Sequence, residues 1–356
     1  MKNFLKITNK ILISIVIFVV FLFIGCAQQP EAGKGGLAAT RGRSLSAVLI
    51  DVGRSAENAF YSFLELLSDT LGFTAKLTTK KEDVGGYFNS LGAKIGEASD
   101  ELEQVAKKSE TELDKGDLNK IIRSAVDSAK ATLSTLKTHL DSLGTIGDDK
   151  VVGWAENDQQ GIKPADDGLN KFFNALQLIV KAATDAGVLA PKAGNTTLTV
   201  NGVDNKDGAK LLAIDKPGAA VGDKATLIVS AVSGEEMLAS IVASKDSDQA
   251  LGAAADGNTS AISFAKGGTA AHLAGANTPK AAAVAGGIAL RSLVKDGKLA
   301  SHNDNSEKAV QAAGVTAVNK LLVAVEDIIK KTVNNVLKTA KEKIDEARAP
   351  KPVGQQ

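Results

Sequence analysis

From Leu45 to Ile344, apolar residues recur mostly every three or four positions, the period of one helix face. Leu45, Val48, Val52, Ala56, Ala59, Phe63, Leu66 and Thr70 predict a long first helix that stops at Gly72. A second is predicted over Glu82–Lys108, weakened near its start by Gly85-Gly86, because each glycine costs about 1 kcal/mol relative to alanine. A third covers Leu118–Leu143 and ends before Gly144. Val151–Lys163 reads as a loop around Trp154, and Pro164 suits the first position of a fourth helix carried by Leu169, Phe172, Phe173, Leu176 and Ile179.

The period changes in the middle of the chain. Thr197–Val203 alternates apolar and polar residues around Asn201-Gly202, a strong hairpin signal, and predicts a short two-stranded ribbon. Gly222–Ser244 returns to helical spacing, whereas Ser244–Thr278 is rich in Gly, Ala, Ser and Asp and reads as loop or short irregular helix. Thr278-Pro279 looks like an N-cap with a first-turn proline. Ala281–Leu290 then carries no polar side chain, which predicts a helix buried on every side, with Gly297 as its stop. Ser306–Ala347 predicts one long last helix with a seam at Val315, Val318, Leu322, Val325, Ile329, Val333, Val336, Ala340 and Ile344. On its exposed face, Glu326–Lys330 and Asp327–Lys331 have the favourable acid-before-base order. The fold class is mainly α: an elongated helical bundle with long N- and C-terminal helices and at most a short β-hairpin in the middle.

The N-terminus breaks this pattern. Lys2, Lys6 and Lys10 precede an apolar run over Ile11–Ile24 interrupted only by Ser14, and Gly25-Cys26 follows. A basic start, an apolar core and a small residue before the cut describe a signal peptide, and fourteen residues fall short of the about 20 a membrane span needs. Leu22, Gly25 and Cys26 resemble the lipobox of bacterial lipoproteins, with Phe23 where a smaller residue is usual. That resemblance implies cleavage between Gly25 and Cys26 and lipidation, including palmitate, on the Cys26 thiol. Stable anchoring takes more than one acyl chain, which a diacylglyceryl cysteine with an acylated amine supplies. Residues 27–43 follow as a Gly/Ala/polar tether of seventeen residues, with a typical end-to-end distance of roughly 22 Å. The domain organisation is therefore a signal peptide over 1–25, a lipidated tether over 26–43, one helical domain over 44–348 and a tail over 349–356. Within the domain, 44–190 holds the N-terminal helices, 191–278 a loop-rich part, and 279–348 the buried helix and the long last helix.

Charge narrows the partners. The whole chain carries 42 basic and 41 acidic side chains; without residues 1–25 it keeps 39 and 41, a net of −2. No basic patch for nucleic acid follows from that balance. With Cys26 as the sole cysteine, no disulfide framework and no zinc site of ordinary spacing can form. His139, His272 and His302 lack metal-ligand partners at helical spacing, and no phosphate-binding glycine loop or nucleophile elbow occurs. Asn205-Lys206-Asp207-Gly208 resembles the centre of a calcium loop, but Val203 and Ile214 stand where its first and last carboxylates belong. Asp166-Asp167 suits a first helical turn, where acids favour the helix dipole. No catalytic residue, cofactor or metal is expected.

Four segments carry a family resemblance: Phe60–Leu67, Asp83–Phe88, Gly153-Trp154-Ala155 and Ala281–Leu299, with its core Ile288-Ala289-Leu290-Arg291 and Lys295-Asp296-Gly297-Lys298. Together they resemble the variable large protein lipoproteins of relapsing-fever spirochaetes. The last also resembles the invariant region of the variable surface antigen of Lyme-disease spirochaetes. The resemblance implies a surface-exposed antigen anchored in the outer membrane by its N-terminal lipid, one of many variants whose switching defeats host antibodies. It implies a helical fold with both chain ends near the membrane. It also makes 192–222 and 244–278 the candidate variable surface, with Ala281–Leu299 as buried framework. The alternative function is an adhesin for extracellular matrix or glycosaminoglycan on the same scaffold. A homodimer through the last helix's seam is the partner alternative to packing within the chain.

Overall fold

The computed structural model describes residues 50–58, 61, 70–110, 117–303 and 306–348. The chain divides into Met1–Gly42 and Arg43–Gln356, and every described residue lies in the second unit. Residues 50–58 are helical, with Val52 and Ala56 buried, and Gly72 has φ +99° just beyond helical Thr70. The other apolar positions expected of this first helix lie outside the described residues.

Helix α1 is Lys81–Ser109, α2 is Asp117–Leu143 and α3 is Asp166–Asp185. The ribbon follows, with β1 at Thr199–Val200 antiparallel to β2 at Val203–Asp204. Asn201 and Gly202 between them both have positive φ, 52° and 77°, the backbone a two-residue type I′ turn requires. A 3-10 helix spans Lys206–Leu212. Then come α4 (Gly222–Ser230), α5 (Gly234–Val242), α6 (Ala261–Lys266), α7 (Ala270–Leu273), α8 (Ala281–Leu293) and α9 (Glu307–Arg348). At 42 residues, α9 is about 63 Å long and forms the spine against which α2, α4, α5 and α8 pack. The result is a mainly α bundle with one two-stranded ribbon.

All nine expected seam residues of α9 are buried, from Val315 to Ile344. The seam is filled by the chain's own helices.

Five local expectations need correction. The helix expected over Gly222–Ser244 is two helices meeting at a bend of 93°. Ser233 starts the second with a capping box, its hydroxyl accepting from Glu236 N–H while Glu236 reaches back to Ser233 N–H at 2.7 Å. That S-x-x-E signal outweighs the continuing apolar period. Pro164 precedes the N-cap Ala165 and so lies outside α3. Thr278 and Pro279 likewise precede the N-cap of α8, which is Lys280, and α8 ends at Leu293, four residues before Gly297. Glu326 is buried, not on the exposed face; only Asp327–Lys331 forms the expected pair, at 3.6 Å.

Much of 244–278 is also core. Ile262, Phe264 and Ala265 are fully buried in α6, because small residues let this segment press against α8. In 192–222, Leu198, Ala209, Leu211 and Leu212 are fully buried too.

Candidate functional site

Gly25 and Cys26, the residues expected to carry cleavage and lipidation, lie outside the described residues. The described ends of the chain come together. The Arg348 guanidinium at the end of α9 crosses Gly53, so that a Cβ there would fall within 2.3 Å of its central carbon. Lys108, near the end of α1, donates to Ser55 Oγ at 2.8 Å.

The expected framework forms the centre of the described fold. Every residue of α8 is buried, held among α5, α6 and α9. Gly287 permits this closeness: a Cβ there would lie 2.5 Å from Phe264 Cβ and 3.0 Å from the α6 backbone. Arg291, inside the expected framework but beyond its apolar run, carries the framework's buried guanidinium. It is fully buried, its Nε donates to Ala265 O at 2.9 Å, and burial lowers its pKa. Both terminal nitrogens lack a hydrogen-bond partner, which makes it the costliest polar group of the framework.

Beyond α8 the chain turns at Lys295-Asp296, where Asp296 has φ 66°, and is clasped by earlier loops. Lys81 Nζ donates to Val294 O at 3.0 Å and Gly297 O at 2.7 Å, with Asp148 Oδ1 at 3.8 Å. Lys81 is fully buried, and desolvation lowers its pKa to about 8 against the opposing pull of Asp148 and Asp296. Lys295 N–H donates to Ile146 O, and Asp296 N–H to Asp148 Oδ2, each at 2.8 Å. Lys298 exchanges backbone hydrogen bonds with Ile162, and Leu299 N–H donates to Trp154 O at 2.8 Å. Two ammonium groups lie over the Trp154 ring, Lys150 Nζ at 5.4 Å and Lys298 Nζ at 5.3 Å from its centroid. The three family-like segments around Asp83, Trp154 and Ala281–Leu299 thus meet at one clasp. Lys81 was legible in principle, because it continues the buried row of Val84, Phe88, Leu91 and Ile95 along α1.

Exposure over 192–278 is confined to short stretches. The ribbon at 201–204, the turn at 218–220 and the loops at 245–247 and 252–254 are exposed. These alternate with buried anchors, so the candidate variable surface is smaller than the two intervals suggested. Asp207, in the segment resembling a calcium loop, is paired with Lys210 at 2.8 Å and Lys224 at 2.7 Å. These partners lower its pKa to about 2. His272 Nδ1 lies 3.2 Å from Leu251 O, and burial lowers the pKa of His139. Among the described residues, no group of three or more His, Cys, Asp or Glu could hold a metal ion.

A wholly buried Ala/Gly-rich helix, its following turn clasped by earlier loops, within a bundle that also carries short exposed turns, defines a helical scaffold class. The chain belongs to the Borrelia lipoprotein family, whose model matches residues 56–344. Variable large protein 18 of Borrelia hermsii is 77% identical over 358 residues, covering 100% of this chain and 99% of that relative. Variable large protein 7 of the same organism is 64% identical over 356 residues, covering 98% and 96%. The crystal structure of VlsE, a Lyme disease variable surface antigen of Borrelia burgdorferi, matches with a TM-score of 0.66. It is 24% identical and covers 84% of this chain and 98% of its own, a likeness of fold.

Proposed function

We propose that this chain is a surface antigen held to the outer membrane by lipid on Cys26, and that it acts in antigenic variation and evasion of host antibody, without catalysis. The carrying observation is the division between a fully buried α8 and short exposed turns, in a chain 77% identical to a variable large protein. A coat antigen must keep its core while its surface changes. Exposed substitutions away from caps and strained turns alter stability by less than about 0.5 kcal/mol, so such turns can diverge while the core persists.

Anchoring follows from the proposed cut between Gly25 and Cys26, and the meeting of residues 50–58 with the end of α9 supports both chain ends facing the membrane. Host antibodies are then the partners of the exposed turns. Metabolic palmitate labelling of wild type beside Cys26→Ala, with protease shaving of whole cells, tests the anchor. Label on wild type but not on the variant, with loss of the protein on shaving, is expected. Equal labelling of both, or full protection from protease, contradicts the proposal.

A further inference from the structure

A cavity of about 520 Å³ lies between α5, α9 and the segment that follows α3. Leu189 and Val323 stand at its mouth, 83% and 60% exposed, where water contact is costly for large apolar side chains. Buried Leu238 and Ile328 line it further in. Its volume lies within the about 300–1,000 Å³ of small-molecule sites. A dry cavity of about 150 Å³ holds benzene, so this one suits roughly twenty non-hydrogen atoms.

Most polar groups of the lining are already spent inside the chain. Lys320 Nζ donates to Val229 O at 2.8 Å and Val232 O at 2.6 Å. Asn319 bonds both backbone groups of Ala75, at 2.8 and 3.0 Å. Thr316 Oγ1 donates to Ala312 O at 2.8 Å. At the mouth, Asp327 and Lys331 form a loose exposed pair 3.6 Å apart, and Glu235 accepts from Lys192 N–H at 3.0 Å. The mouth therefore offers acceptors and a donor side by side.

We propose that this cavity binds a single-chain amphiphile with a hydroxylated, uncharged head, the chemistry of a monoacylglycerol. The acyl chain lies along Leu189, Leu238, Val323 and Ile328. A head hydroxyl both donates and accepts, so it bonds Asp327 and Lys331 together without breaking their pair. A carboxylate head instead meets two negative charges, Asp327 and Glu235, against Lys331, the one cation among the described lining residues not held by backbone carbonyls.

Membranes from cells making the full chain, irradiated with a clickable diazirine monoacylglycerol, test this. Adducts should concentrate on peptides covering 188–191 and 316–331, and excess monoolein should suppress them at least tenfold. Leu189→Asp with Val323→Asp should lower labelling at least tenfold with an unchanged thermal melt, because both sites are exposed. Val323→Trp, which fills the mouth without adding charge, should do the same, while Leu178→Asp should not. Adducts scattered over the surface, or undiminished labelling in both mouth variants, overturns the site. Suppression by oleate equal to that by monoolein overturns the head-group assignment.

Discussion

Lys81 Nζ lies 2.7 Å from the carbonyl oxygen of Gly297, joining the first turn of α1 to the chain beyond α8 across 216 residues. A fully buried lysine with its pKa lowered to about 8 is less protonated in the folded chain than in the unfolded one. The unfolded state then binds more protons between about pH 8 and its ordinary value of 10.5, so this group's contribution to stability rises with pH across that window. The melting temperature of wild type minus that of Lys81→Met should therefore climb from pH 8 to pH 10. A flat or falling difference contradicts the buried environment of Lys81.

Tyr87 Oη donates to the buried Glu326 Oε1 at 2.5 Å, and Glu326 Oε2 accepts from Gly72 N–H at 3.1 Å. Tyr87→Phe leaves a buried carboxylate oxygen without its donor, which should cost about 1–3 kcal/mol in urea unfolding. Glu326→Gln, whose amide oxygen still accepts from Gly72 N–H while its NH2 donates to a reoriented Tyr87 hydroxyl, should cost less than Glu326→Leu. Equal costs for the two substitutions contradict the bonded arrangement.

Two glycine-to-alanine substitutions should move stability in opposite directions. At exposed Gly86 of α1 a Cβ meets nothing within 4 Å, so Gly86→Ala should stabilise by about 0.4–1 kcal/mol. At Gly287 the Cβ collides with α6, and overpacking of about 1–3 kcal/mol should exceed the helix-propensity gain. Calorimetric melts of the two variants give the sign directly.

The hairpin carries a conformational rather than a packing constraint. Asn201 has φ 52°, which a β-branched residue adopts only under strain, so Asn201→Val should cost about 1–2 kcal/mol. Val203→Lys, two positions on and 56% exposed, should stay within about 0.5 kcal/mol. Denaturant midpoints of the pair separate turn geometry from surface tolerance.

What the sequence made legible was periodicity. The limits of α9, the burial of its seam, the all-round burial of α8 and the Asn201-Gly202 turn all followed from spacing or turn chemistry. Residues whose role depends on distant partners were not legible. Glu326 has correct i,i+4 spacing to Lys330, yet Tyr87 and the Gly72 N–H draw it inward from 239 and 254 positions away. Ala261–Lys266 is one of the short helices that the reading of 244–278 as loop or short irregular helix allowed, but its burial against α8 was not legible in so polar and small-residue-rich a segment. Arg291 closes an apolar run, and nothing in its local sequence marks a guanidinium buried without partners for its terminal nitrogens. The break at Ser233 was legible from its capping box, but the apolar period running through it masked that signal.

The central claim is a lipid-anchored surface protein with exposed turns over a buried framework, and introduced thiols test it most directly. Cys26 is the sole native cysteine, and proposed lipidation leaves it unreactive, so each new thiol reports only its own position. Val203→Cys places a thiol on the exposed ribbon, and Ser292→Cys replaces a nearly isosteric, 1% exposed residue of α8. Intact cells treated with a membrane-impermeant maleimide should label Val203→Cys at once and Ser292→Cys only after denaturation. Immediate labelling of Ser292→Cys, or protection of Val203→Cys on intact cells, would contradict it.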